Sequence, residues 1–407
     1  MSITRFVTLT LVSTGLVFTQ AQATDPISPV TEGGAGEREI RVTNLGNGRG
    51  SLRHAINEPG AKTIVFDVAG VIDLQMEPLV LTTPFTTIAG ESAPSPGITL
   101  IRAGIAVRTH DVIIRHIRIR PGEAGASKGS GWEVDGISTS RGAHRVIIDH
   151  CSISWATDEN LSASGPRFTG DTVDEWRRGT SHDIVFSHNI IAEGLSDSTH
   201  SKFEHSKGLL LHDNVTGVLI IGNLFAHNME RNPLLKGGVQ AMMFNNLIYN
   251  PGTRALHYNL LAVEWENHAR IPGQLTAVGN VMRAGPSTQA GLPFLMLGGQ
   301  GDLEYYGHDN IAVDWLGNPL PQLGRYTTSE GRIILLEEPR FRPEGLKLRS
   351  SGQVEEWVLK NAGARPWDRD AHDRRIISDV AEGRGKIIDS QAEVGGYPGL
   401  PSREIQR

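Results

Sequence analysis

Between Glu133 and Lys236 the chain gathers side chains of both signs in an order suited to handling an anion. Glu133 and Asp135 come first, and Asp158 and Glu159 follow about one structural repeat later. Carboxylates brought together repel one another unless a proton or a cation joins them. An all-oxygen donor set favours Ca²⁺. Alone, these four would be ordinary exposed turn acids. The basic partners are His205 and Lys207 in EHSKGLLL, and Arg231 and Lys236 in RNPLLKGG, where Pro233 and two glycines fix the local backbone. Lys202, just upstream, reads as a solvated loop residue. Acids and bases on one side of a common scaffold would line a groove for a polyanion, with a cation bridging acid to acid.

The scaffold that must position them is a repeat. VIIDHCSIS from Val146, IVFSHNIIA from Ile184, VLIIGNLFA from Val218, AMMFNNLIY from Ala241, LTAVGNVMR from Leu275 and YYGHDNIAV from Tyr305 share one frame. VIIRHIRIR from Val112 fits it too. Each unit has a short apolar strand, a turn and a second short strand. Its sixth position holds Cys151, then Asn189, Asn223, Asn246, Asn280 and Asn310. A self-similar unit of this length marks a solenoid. Helical and leucine-rich repeats need helix-period segments, which these units lack. A parallel β-helix needs only short strands and turns, and its stacked asparagines bond one another along the column. The shortest interval should approach the bare rung, and longer intervals should carry loops, where function on such a rod resides.

The flanks differ. Arg5, the apolar run Phe6 to Phe18 and the small-residue site Ala21-Gln22-Ala23 form the pattern of a secretory signal peptide over residues 1–23, predicting a secreted or periplasmic protein. Residues 24–38, rich in Pro, Gly and acid, read as a flexible lead-in to one β-helix domain over 39–407. Ser51 is placed to cap a short helix. After about residue 340, Val354, Trp357 and Val358 predict one helix face, and Ala371, Ile376, Ile377 and Val380 a second helix ending near Gly383. These segments should cover the side or end of the rod. A formal charge of −6 suits neither nucleic acid nor an anionic membrane, and no stretch after the signal is long enough to span a bilayer. One cysteine forbids an internal disulfide, and Cys151 reads as a small core residue. A monomer is expected.

The order of these motifs resembles the pectate lyase family of polysaccharide lyases. HSKGLLL, HDNVTGVLIIGNLFAHN, RNPLLKGG and NNLIYNPGTRALHYN follow the family's order and spacing, and VIIDHCSISWATDEN resembles its WIDH-type strand. SLRHAI and TIVFDVAGVIDL look like its opening, so the resemblance covers most of residues 40–260. It implies an all-β, single-domain right-handed parallel β-helix that cleaves pectate by Ca²⁺-assisted β-elimination. It implies Arg231 as the proton-abstracting base, and Lys207 and Lys236 as basic residues gripping substrate carboxylates, with His205 beside them. It implies Asp135 and Asp158 as calcium ligands, with Glu159 and, more weakly, Glu133. Asp149-His150 match a family strand motif and read as a buried structural pair. Two departures stand out. Ser162 occupies a position where the family carries another acidic ligand, which Glu159 could replace. Lys236 stands for an arginine and cannot make its two-pronged contact. The loop from Gly165 to His182 can also reshape the cleft. A lyase for another uronate polymer and a non-catalytic carbohydrate-binding or adhesin rod are the remaining readings. A polygalacturonase-type hydrolase would need adjacent aspartates and a Gly-His-Gly motif, which are absent.

Overall fold

The computed structural model describes residues 31–343 and 345–399, so the expected signal over 1–23 lies outside the described residues. Among the described residues the chain winds through three parallel sheets in turn, of eleven, nine and nine strands. Each complete rung places one strand in each sheet: His144–Asp149, Ser152–Ser154 and Glu159–Ala163 make one, and His182–Ser187, Ile190–Ala192 and Lys207–Leu211 the next. This is a parallel β-helix. The repeat frame read from the sequence is the pairing register. Val146 pairs with Ile184, Ile184 with Val218, Val218 with Ala241, Ala241 with Leu275 and Leu275 with Tyr305.

Alternation explains the core. Val146, Ile148, Ile184, Phe186, Val218 and Ile220 are fully buried at alternate strand positions, stacking like on like from rung to rung. At the turn that follows, the asparagines form one buried column. Nδ2 of Asn189 donates to Oδ1 of Asn223 at 3.0 Å, Asn223 to Asn246 at 2.9 Å, Asn246 to Asn280 at 3.0 Å and Asn280 to Asn310 at 2.9 Å. Cys151 caps the column, its backbone N–H donating to Oδ1 of Asn189 at 2.8 Å. Burial pushes its thiol up to about 12, so it is an inert core residue. The 23-residue step from Asn223 to Asn246 is the shortest, and its third-sheet strand, Leu234–Lys236, carries RNPLLKGG.

Ser51 caps the helix Leu52–Asn57 by accepting from the N–H of His54. The C-terminal helices Val354–Asn361 and Ala371–Ala381 lie along the second sheet, burying Val354, Val358, Ile376 and Val380 against Ile190, Leu224, Leu247 and Tyr249. They cover a side of the rod. Asp370 and Asp373 lock them there: Arg120 donates to Asp370 at 2.7 Å and to Asp373 at 2.9 Å, and Arg118 reaches Asp373 at 3.3 Å. Phe341, Leu346 and Leu348 pack similarly on the first sheet. Neither cover lies on the third sheet, whose strands and entry turns carry the charged residues. The long loop between Gly165 and His182 contains a helix, Val173–Gly179, held by a Thr172–Glu175 capping box.

Candidate active site

The site forms where the chain turns into the third sheet. Gly136 donates to the carbonyl of Glu159, Glu159 is the register partner of Lys207, and Lys207 bridges to Glu230. Residues 23 to 48 positions apart thereby stand on neighbouring rungs, in the order Asp135, Asp158-Glu159, Lys207 and Glu230-Arg231. Parallel strands stack at about 4.8 Å, so each rung lies within reach of the next.

Carboxylate oxygens of Asp135, Asp158 and Glu159 all lie within 4.8 Å of one another. Loss of water around Asp135, with the nearby Asp158 charge, pushes its carboxyl up to about 7. Ser162 donates to Asp135 at 2.6 Å, so the residue that departs from the family pattern supports the cluster as a donor and does not add a charge. Burial works against ionising Asp158 too, but the 2.8 Å contact with Nε2 of His205 and the neighbouring positive groups bring it below the usual carboxylate range.

Arg231 adopts a left-handed conformation, φ 63°, and its guanidinium pairs with the buried carboxylate of Glu159. Burial lowers its pKa from the ordinary arginine value, against the opposing charges of Asp158 and Asp135. Lys207 pairs with Glu230, which also takes Arg254. Burial, with the charge of Arg254 adding to it, lowers Lys207 to about 7. Arg254 lies over the Tyr326 ring, 4.7 Å from its centroid.

Several expected roles change. Glu133 does not join the other acids: it accepts from Ser201 N–H at 3.0 Å and lies 3.4 Å from His200, because its turn faces the 200–205 loop. His205 is 3% exposed and stacks on His200 at 3.8 Å, so it holds Asp158 and does not face a groove. Lys236 pairs with Glu264, which also takes Arg167. Leu235 is level with Leu211, which puts Lys236 five residues further along the strands than Lys207, about 16 Å at strand rise. A polymer on this face would therefore meet the two lysines at different sugar units. Glu159 is shared between the acid cluster and Arg231. The sequence reading missed Glu230, Arg254, Tyr326 and Glu264. Arg254 stood in a quoted motif, but nothing in its local spacing marked it.

The acid cluster fits a hard cation. Its two aspartates crowd enough to resist joint ionisation, and all its donors are oxygens. Asp135 and Asp158 would hold Ca²⁺, with Glu159 able to turn from Arg231 toward it. Chemically, the site sets the buried cations Lys207 and Arg231 on the rungs that follow the acid cluster, an arrangement suited to drawing in a carboxylate and taking a proton beside it.

No protein-family model matches the chain. Among curated proteins it is 31% identical over 362 residues to the probable pectate lyase C of Aspergillus flavus, covering 87% of this chain and 76% of that one. Among solved structures it resembles jun a 1, the major allergen from cedar pollen, with TM-score 0.56 and 18% identity over 82% of this chain and 90% of that one. The thermostable pectate lyase PL 47 gives TM-score 0.53 at 16% identity over 83% and 95%. At such identities the structures speak for the fold alone.

Proposed function

Since this chain belongs to the pectate lyase family, we propose that it is an exported lyase that cleaves pectate, an α-1,4-linked polygalacturonate, by Ca²⁺-assisted β-elimination. The observation that carries the reading is the run of Asp135, Asp158, Glu159, Lys207 and Arg231 on adjoining rungs, with burial lowering Arg231.

In the elimination, a base removes the proton on the carbon next to a uronate carboxylate. The C–H electrons become the new C=C bond, and the C–O bond breaks with its electrons leaving on the glycosidic oxygen, which solvent protonates. Arg231 takes the proton in its neutral form. An arginine ordinarily stays charged to above about pH 12, and each unit of downward shift costs about 1.4 kcal/mol. Burial supplies part of this, and the substrate must draw Glu159 off the guanidinium before it can act. Lys207 and Arg254, gathered on Glu230, receive the uronate carboxylate as charge develops there. An arriving anion raises the pKa of Lys207, so binding restores its charge. Groups placed where charge develops lower the barrier more than they tighten the ground state. When bound at Asp135 and Asp158, Ca²⁺ would neutralise the substrate carboxylate and acidify the neighbouring C–H. Lys236 grips a carboxylate further along the polymer.

We read residues 1–23 as the export signal and the mature enzyme as a monomer. Among the described residues no helix is long and apolar enough to cross a membrane.

The test is the ultraviolet absorbance of unsaturated uronate during incubation with polygalacturonate at alkaline pH, with added Ca²⁺ or with chelator. A rise that chelator abolishes, and that Arg231→Ala and Lys207→Ala each reduce by at least about a hundredfold, supports the proposal. Absence of signal with Ca²⁺ would remove pectate as substrate and favour another uronate polymer or a binding rod.

A further inference from the structure

The charges around Lys236 are built differently from those around Lys207. Lys236 ends the strand Leu234–Lys236, and its ammonium pairs with Glu264 of the short helix Ala262–Trp265. Arg167 arrives from the long loop that follows the strand Glu159–Ala163. It lies 3.2 Å from Glu264 and donates to the buried carboxylate of Asp213 at 2.8 Å. Asp213 is committed to structure, because it also accepts from the N–H of Gly237 at 2.9 Å and from Nε1 of Trp265 at 2.8 Å. Nε2 of His212 is 3.3 Å from the Arg167 guanidinium, which only donates, so His212 accepts there as a neutral ring.

An aromatic wedge fixes the loop and the short helix to one another. Phe168, beside Arg167, stacks on His268 at 3.7 Å and meets Trp176 and Trp265 edge-on at 5.0 and 5.4 Å between centroids. Trp265, beside Glu264, is fully buried. Packed neighbours therefore deliver Arg167 and Glu264 to Lys236, while the Glu264 side chain stays 28% exposed and open to an arriving sugar.

The charge count separates the two lysines. Lys207 and Arg254 share the single carboxylate of Glu230, which leaves one positive charge for a substrate carboxylate. Lys236 and Arg167 face Glu264 and Asp213, and their charges balance. A uronate carboxylate arriving there must draw Lys236 off Glu264, whose own charge then repels it. A methyl-esterified uronate leaves the pair intact. A lysine ammonium has three donors, so one can stay on Glu264 while another reaches the ester carbonyl. Asn259, level with Lys236 on the next rung, adds an uncharged amide whose oxygen has no hydrogen-bond partner among the described residues. Lys236 can thus hold either form of the sugar, and Glu264 removes most of its preference for the charged one.

We propose that Glu264 determines specificity at the Lys236 position, making it indifferent to methyl esterification, so that sparsely methyl-esterified galacturonan is a substrate alongside pectate. The inference rests on the reading of the chain as a pectate-cleaving lyase and concerns only the sugar held at Lys236. The reacting sugar still needs its carboxylate for Lys207 and for the cation at the acid cluster.

The test is kcat/KM for release of unsaturated uronide from polygalacturonate and from the same polymer sparsely methyl-esterified, at saturating Ca²⁺. The parent chain should cut the two within about threefold of one another, a measurement that does not depend on any variant folding. Glu264→Gln should shift the ratio toward the unesterified polymer by about three- to fivefold, the worth of a partly exposed ion pair. The shift should lie in KM, because the charge acts on binding away from the reacting carbon. Glu264→Asp keeps the charge and should return the parent ratio. A parent chain that loses more than about tenfold on the sparsely esterified polymer, or a ratio that Glu264→Gln leaves unmoved, overturns the inference while pectate cleavage stands. No product from either polymer removes the lyase reading and the inference with it.

Discussion

Glu159→Gln asks directly what Arg231 does. Glu159 has a side chain 6% exposed and is ion-paired with Arg231, and glutamine keeps its shape while removing its charge. Opposite unit charges about 4 Å apart attract by about 4 kcal/mol at an effective dielectric near 20. At about 1.4 kcal/mol per pKa unit that sets a ceiling of roughly 3 units on the shift. Asp135 and Asp158 remain nearby and go on favouring the charged guanidinium, so we expect a fall in the Arg231 pKa of about 1 to 2 units. Activity on the basic limb rises as Arg231 loses its proton, so a lower pKa moves that limb to lower pH. The assay is kcat/KM for polygalacturonate across the alkaline range, since this ratio reports the free enzyme's essential groups. It is run at saturating Ca²⁺, with a calcium titration to separate any loss of cation affinity. A limb that stays in place, or moves to higher pH, would refute Arg231 as the titrating base.

Three further outcomes follow from the same contacts. Asp135 has a folded pKa above its unfolded value, so the folded chain binds the extra proton between the two, and stability falls as pH rises from about 4 to 7. Thermal unfolding should accordingly show Ca²⁺ raising the Tm near pH 8 and leaving it unchanged near pH 4; equal shifts at both would exclude Asp135 as a ligand. Asp373→Ala leaves Arg118 and Arg120, each 1% exposed, short of a buried partner, which should cost about 3–5 kcal/mol in urea unfolding and expose the C-terminal helices to protease. A loss below about 1 kcal/mol would mean the helices are held by their apolar face alone. Asn223→Ala strands the Asn189 side-chain donor and the Phe186 carbonyl, and should destabilise by about 2–5 kcal/mol while leaving the kcat of the folded enzyme within twofold. A neutral result in denaturant unfolding would show that the column merely fills space.

The sequence by itself determined the rod. Its asparagines recur at one frame position because each must bond the next across a rung, and a side chain required at every repeat leaves a period that can be read without coordinates. The Ser51 cap and the two C-terminal helices were legible for the same reason: capping and amphipathic spacing are local. Arg231, Lys207, Asp135 and Asp158 could be singled out by residue type and order. What only the tertiary structure decided is which charge faces which. Glu133 stands two positions from Asp135 yet turns to Ser201, while Glu159 meets Arg231 from 72 positions away. Lys207 shares Glu230 with Arg254, Lys236 answers to Glu264, and His116, His150 and His188 meet only because their rungs stack in register. Partnerships of this kind depend on loop lengths summed between rungs and on how burial weighs each charge. Neither quantity is carried by a residue and its near neighbours, so both appear only once the coil is closed.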